Sequence, residues 1–218
     1  MNGETLSNTQ NLPFNENELE KIRKSKRLKF VKSNKKSFGI DEHVSFMLEM
    51  KNIQNLTVKI FEINTFNYYK KTMKEVTSKV DLEGLIPAKS FLVQYNDNPI
   101  LIIKRDIGID YLNEQKRGVF IVEFIGGGLS SRVLIKKGSL TQIPQIIKDN
   151  AVFHIINESK MVCTEKTAIV IGNVIYKADK TGKILVPLEE NKREAKVVLS
   201  CGDFSELAHV VIPAAKYF

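Results

Sequence analysis

The sequence contains little cysteine and no long apolar run, and these two absences exclude several classes of protein. Only two cysteines, Cys163 and Cys201, occur in 218 residues, too few for the disulfide framework of a small secreted domain. No stretch approaches the roughly 18 apolar residues of a transmembrane helix. The first thirty residues also lack the apolar segment of a secretory signal. We therefore expect an intracellular, cytoplasmic protein rather than a secreted one.

The state of the two cysteines is left open by the sequence. They lie 38 residues apart in the same half of the chain, and one bridge is compatible with that separation. Two buried free thiols are favoured, because the missing secretory signal indicates a reducing compartment.

Motifs for catalysis, metal binding and nucleotide binding are lacking as well. His43, His154 and His209 have no cysteine or histidine at metal-ligand spacing, so structural or surface roles are expected for them. Residues 126–128 are three glycines that lead into a β-rich segment. A tight turn or bulge is favoured there over a phosphate loop, which needs a lysine and a following helix. The sequence predicts no enzyme activity, no cofactor and no metal site.

The formal net charge of +8 is concentrated in residues 21–36, which we call the basic segment. Its nine basic residues are Lys21, Arg23, Lys24, Lys26, Arg27, Lys29, Lys32, Lys35 and Lys36. Removing these nine from the 33 basic residues leaves 24 against 25 acidic ones, so the remaining chain is nearly neutral. Residues 1–37 are predicted to be a flexible basic N-terminal arm, with a helix compatible with residues 15–32.

The basic segment is the one feature with a direct functional interpretation, which is partner binding. Its charges could dock on the acidic surface of a protein, on RNA phosphates or on an anionic membrane. A solvated arm without a partner is the alternative.

From residue 38 onward, the pattern predicts short strands. Val44, Phe46, Leu48 and Met50 alternate with other residues, which is the period of a strand with one buried face. Further strands are expected at residues 56–63, 100–109, 118–125 and 131–137, the second and third of these being the more deeply buried. This alternation of strands and turns predicts a first β-sandwich over residues 38–138.

Residues 139–218 are predicted to form a second β-sandwich. Gly172-Asn173 fits a two-residue hairpin turn, and residues 179–182, which end in glycine, fit another turn. Together they predict a three-stranded meander over residues 167–188. Residues 65–80 are the one helical alternative in the body, weakened by threonine and valine.

Three segments resemble the macroglobulin-like (MG) domains of alpha-2-macroglobulin-type proteins: residues 60–88, 117–140 and 174–188. The second contains a glycine, a strand, a turn of small residues and then R-x-x-I-x-K-G. The resemblance implies tandem β-sandwiches. It does not imply protease trapping, because the reactive thioester motif and a bait region are absent.

The sequence as a whole predicts an all-β protein with two antiparallel β-sandwich domains, immunoglobulin-like or macroglobulin-like, behind a basic arm. The predicted function is that of a noncatalytic protein-interaction or scaffold module, as the N-terminal part or a subunit of a larger assembly. The alternative is a nucleic-acid-associated protein that binds phosphate through the arm. A fragment of a macroglobulin-like surface or defence protein is the third hypothesis.

Overall fold

A computed structural model describes residues 16–97, 101–147, 150–188 and 193–212. Within these ranges, no helix is long and apolar enough to span a bilayer. The first fifteen residues of the predicted arm lie outside them. The elements in chain order are α1 (Glu16–Lys24), β1 (Arg27–Phe30), β2 (Ser37–Phe38), β3 (Ser45–Lys51), β4 (Asn55–Glu62), α2 (Thr65–Thr72), β5 (Lys89–Gln94), β6 (Ile103–Gly108), α3 (Asp110–Glu114), β7 (Gly118–Gly126), β8 (Leu129–Lys137), β9 (Leu140–Ile147), β10 (Asn150–Asn157), β11 (Ala168–Ile171), β12 (Val174–Lys177), β13 (Lys183–Pro187), β14 (Arg193–Cys201) and β15 (Phe204–Ile212).

The first sandwich packs a three-stranded sheet, β1-β3-β6, against a five-stranded sheet, β2-β8-β7-β4-β5. The pairs are antiparallel except β2 with β8, which is parallel. Alternate side chains of β3 and β7 fill the space between the sheets, and the rings of Phe46 and Phe124 meet edge to face. Two such sheets around one apolar core are the arrangement of immunoglobulin-type domains. The predicted all-β sandwich fold is confirmed.

Part of the basic segment belongs to this sandwich, which corrects the prediction of a flexible arm. Arg27–Phe30 pairs with β3, and Ser37–Phe38 pairs with β8. Leu28 is buried, and the ring of Phe30 lies 5.2 Å from that of another core phenylalanine. Charged residues alternate with these two apolar ones on the outward face, so the strand period is hidden in a run of lysines and arginines. The helix compatible with the sequence is confined to Glu16–Lys24.

The glycine turn at residues 126–128 forms as predicted, a tight connection between β7 and β8. Gly127 and Gly128 have φ of +59° and +80°, which is the conformation that a two-residue hairpin requires. The deep burial predicted for residues 100–109 and 118–125 is found in only one of these two segments. β7 is buried along almost its whole length. Leu101 and Ile102, which precede the edge strand β6, are more than half exposed.

The second sandwich packs β13-β10-β9 against β12-β11-β14-β15. The predicted hairpin at Gly172-Asn173 is confirmed, since Ile171 pairs with Val174 across it. The predicted meander is wrong at its third strand, because β12 and β13 belong to opposite sheets. The turn itself forms, and the Asp179 carboxylate accepts hydrogen bonds from two backbone N–H groups. Turn chemistry reverses the chain locally and does not select the sheet that the next strand joins.

Cys163 and Cys201 form a disulfide, so the prediction of two free thiols is wrong. Cys163 follows β10 and donates its backbone N–H to Ile155, and Cys201 ends β14 in the opposite sheet. The bridge therefore joins the two sheets of the second sandwich. The sequence separation does not indicate that the Cα atoms of these two cysteines lie 5.9 Å apart. The inference from the missing secretory signal to free thiols therefore fails, since persistent disulfides are typical of oxidising compartments.

The two sandwiches are joined by one continuous apolar cluster that includes α2. The cluster contains Val119 and Ile121 of β7, Tyr69 of α2, and Val198 of β14. The helix begins with a side-chain cap from Asn64 and ends at a left-handed residue, and these two signals outweigh its β-branched composition. α2 contacts β14 and β15 and shares the cluster with β7, so it is part of the contact between the sandwiches.

Two carboxylates of the second sandwich hold the connection between the sandwiches. Glu158 accepts a hydrogen bond from the Arg117 guanidinium at 2.5 Å and one from the backbone N–H of Ser139 at 3.2 Å. Glu206 accepts a 2.7 Å hydrogen bond from the backbone N–H of Leu140 and one from a lysine of β8. Residues 138–140 are therefore fixed from both sides.

The disulfide is expected to stabilise the fold through the unfolded chain. Closing a loop of 38 residues removes on the order of 4 kcal/mol of chain entropy from the unfolded state. The double variant C163S/C201S should therefore lose about 2–4 kcal/mol in free energy of unfolding, measured by urea titration. As a control, reductant should lower the stability of the wild type and leave the double variant unchanged. Equal stability of the oxidised wild type and the variant would contradict this role.

The Glu158 contact predicts a defined dependence of stability on pH. Burial opposes ionisation of Glu158, but hydrogen bonds from Arg117 and Ser139 outweigh it and hold the pKa of the carboxyl below its ordinary value of 4.5. A carboxyl with a depressed pKa stabilises the fold above its unfolded-state pKa, and this contribution is lost as pH falls through the folded-state pKa. The stability difference between wild type and Glu158→Gln should therefore be constant near neutral pH and shrink below pH 4.5. The exposed control Glu83→Gln should show the same dependence of stability on pH as the wild type. A stability difference between wild type and Glu158→Gln that does not change with pH would contradict the depressed pKa of Glu158.

Candidate partner-binding site

The structure divides the nine predicted binding residues into two groups. The first group lies on α1, on the turn after it and on the outer surface of the β1-β3-β6 sheet. We call this surface, with the group of residues on it, the basic face. Its members are Lys21, Arg23, Lys24, Lys26, Arg27 and Lys29. The second group lies in the crossover, residues 31–36, which carries the chain from β1 to β2. Its members are Lys32, Lys35 and Lys36.

A buried lysine anchors α1 to the sandwich. Lys51 is 6 % exposed, and its ammonium donates hydrogen bonds to the Ser25 hydroxyl at 2.7 Å and to the carbonyl of Ile22. Asn52 donates a third hydrogen bond, to the carbonyl of Arg23. These contacts satisfy carbonyl groups that a helix leaves free at its C-terminal end. Because none of the nine described residues of α1 is buried, this polar anchor fixes the helix in place.

The outer surface of the three-stranded sheet carries a carboxylate among cations. Glu49 lies opposite Lys29 on β1 and Lys104 on β6, and the Arg27 guanidinium donates to it at 2.9 Å. That hydrogen bond holds the pKa of Glu49 below its usual range, with further lowering from the charges of Arg27, Lys104 and Lys29. The carboxylate is therefore ionised at neutral pH, and the three cations around it leave this row positive.

The crossover begins with a turn at residues 32–33 and is held against β3. The Asn34 side chain both donates to and accepts from the backbone of Met47, at 2.8 Å each. These two hydrogen bonds are of the kind that the backbone of a neighbouring strand makes. Lys35 is paired with Glu42 at 2.6 Å. Lys32 and Lys36 are exposed and make no ion pair within the described part of the chain.

The three histidines lie on separate elements: His43 in a loop before β3, His154 on β10 and His209 on β15. Among the residues that the structure describes, no three histidine, cysteine, aspartate or glutamate side chains form a group suited to a metal ion. Sequence reasoning missed Lys51, Asn34 and Lys104. Lys51 on β3 and Lys104 on β6 occupy the alternate positions that face outward, on the same side as the basic segment. This alternation could have identified both lysines from the sequence.

Fold and site together define a class: tandem immunoglobulin-like β-sandwiches with a basic face built on the first. Residues 56–138 match the family model of the first immunoglobulin-like domain of AbpF. The chain is similar to Actin-binding protein F of Dictyostelium discoideum, at 30% identity over 186 residues. This match covers 85% of the chain and 8% of that protein, so the chain spans a small part of the relative's length.

The solved structures similar to this chain include two of native alpha-2-macroglobulin from Escherichia coli. They span domains MG0-NIE-MG1 and NIE-MG1, with TM-scores of 0.49 and 0.46 and 10% identity. Each match covers 85% of this chain, and 64% and 97% of the respective macroglobulin chains. The narrower resemblance to the macroglobulin family stays a prediction.

The anchor of α1 makes a local prediction. Replacing Lys51 by methionine keeps the apolar stem but removes two hydrogen bonds from a charged donor, each worth about 1.5–3 kcal/mol. The amides of residues 22–26 should then exchange with solvent at least about tenfold faster, measured by NMR hydrogen exchange. Lys104→Met, on the exposed edge strand, is the matched control and should leave these rates unchanged. Unaltered exchange in Lys51→Met would show that the helix is held by something else.

Proposed function

We propose that this chain is a noncatalytic protein-interaction module that binds an acidic surface of a protein partner through the basic face. In this proposal, residues 38–138 and 139–218 form two domains, and β1 adds to the first. The chain acts within the cell, as part of a larger assembly.

The observation that carries the proposal is the ordered presentation of the basic residues. Lys51 fixes α1, and β1 is paired with β3, so these cations have defined positions before a partner arrives. A preorganised surface loses less conformational entropy on binding than a flexible arm. Cations at the rim of an interface raise the association rate and select acidic partners.

Filamentous actin is the first partner to test. The relative with 30% identity is named Actin-binding protein F, and the basic face offers a charge complement to an acidic protein filament. An actin partner would also account for an intracellular location. Binding of RNA phosphates through the same residues is the alternative, and it predicts a similar dependence on salt.

Co-sedimentation with filamentous actin tests this function. The basic-face variant replaces Lys21, Arg23, Lys26 and Lys29 by glutamate. The control variant changes the net charge equally by replacing Lys70, Lys74, Lys160 and Lys180, which are exposed elsewhere. We expect the basic-face variant to bind actin at least about tenfold more weakly, equivalent to about 1.4 kcal/mol, and the control variant to bind like the wild type.

Three outcomes would contradict the proposal. They are absence of wild-type co-sedimentation at physiological salt, equal losses in the two variants, and tighter binding of a single-stranded RNA probe than of actin. Equal losses would indicate attraction by net charge alone. Preferential RNA binding would support the alternative.

A further inference from the structure

Strand β8 has a free edge beside the crossover. On one side it pairs with β7 over its whole length, but on the other side it pairs with β2 only at Lys136 and Lys137. The N–H of Lys136 donates to the carbonyl of Lys36 at 2.9 Å, so the backbone of Lys136 points away from β7. Every second residue of a strand directs its backbone groups to the same side. The N–H and C=O groups of Leu134 and Arg132 therefore also point away from β7, where no described strand pairs with them.

This free edge lies in a groove of about 530 Å³, within the size range of ligand sites. Three chain segments line the groove: residues 132–134 of β8, the end of β1 with part of the crossover, and residues 76–78. Val31 and Val76 supply apolar surface, and hydroxyl groups of residues 77 and 78 supply polar surface. The groove thus combines an unpaired strand edge with mixed walls, which are the two features that a bound extended peptide uses.

The charges around the groove favour an acidic occupant. Lys32 and Lys36 line it and make no ion pair within the described ranges. Arg132 also lines it, and its guanidinium is held at 2.7 Å by Glu123, which is itself buried. Three cations with one carboxylate leave the groove positive, so carboxylates of a peptide would meet two unpaired ammonium groups.

We propose that this groove binds an extended acidic segment of a protein partner, which adds as a strand to the free edge of β8 at residues 132–134, on the N-terminal side of the two residues that pair with β2. The inference rests on the proposed function as an interaction module and assigns a second contact to it. β2 already shows that this edge accepts another strand, since it pairs there for two residues. The added segment would satisfy the exposed backbone groups of Leu134 and Arg132, and its acidic side chains would reach Lys32 and Lys36.

A synthetic peptide tests the pairing directly. The probe is an acetylated and amidated peptide of about ten residues in which valine alternates with glutamate, a pattern suited to strand addition. With saturating peptide, the amides of Arg132 and Leu134 should exchange at least about tenfold more slowly by NMR. The amide of Val133, which faces β7, is the internal control and should not change. The same peptide with alternate backbone nitrogens methylated keeps its charge and should bind at least about tenfold more weakly.

Two protein variants locate the binding. Lys32→Gln/Lys36→Gln should weaken peptide binding about tenfold, whereas the matched variant Lys21→Gln/Arg23→Gln on the basic face should leave it unchanged. Peptide binding without actin binding would leave this inference standing and contradict the proposed partner. Actin binding without peptide binding would support the proposed partner and contradict strand addition at the groove. No protection of Leu134, equal binding of the methylated peptide, or equal loss in both variants would overturn strand addition.

Discussion

The structure depends on the burial of β7 from both sides. Phe120 and Phe124 enter the core of the first sandwich, while Val119 and Ile121 belong to the cluster that continues through α2 into the second. A sheet of a single sandwich normally turns one face to water. Here part of that face is covered. Separating the sandwiches would expose apolar surface to water, at a free-energy cost of about 25 cal/mol for each Å². The carboxylates of Glu158 and Glu206 then fix the direction of the connecting chain.

This arrangement determines which surface is available to a partner. The second sandwich and α2 cover part of the outer face of the five-stranded sheet, whereas the outer surface of the β1-β3-β6 sheet lies on the other side of the first sandwich. The basic face lies on that surface, and its cations are positioned by Lys51 and by the pairing of β1. The contact between the sandwiches and the proposed contact through the basic face therefore lie on opposite sheets of the first sandwich. Neither contact has to open for the other to form.

Features decided by neighbouring residues could be predicted from the sequence. The alternation in β3 and the turns at Gly127-Gly128 and Gly172-Asn173 are local, because each depends on backbone conformation within a few residues. Features decided by distant residues could not. The sheet that β13 joins, the proximity of Cys163 to Cys201 and the burial of Lys51 all depend on packing between segments far apart in sequence. β1 was missed because its two core residues are separated by charges that face outward.

The relative motion of the two sandwiches in solution tests the shared core most directly. Residual dipolar couplings of backbone N–H vectors can be fitted separately for the described residues within 44–137 and within 150–212. A single alignment tensor is expected for both sets, in the relative orientation of the structure, because the cluster through α2 joins them into one rigid body. Two tensors of different magnitude, or a marked loss of order in one sandwich, would contradict a shared core.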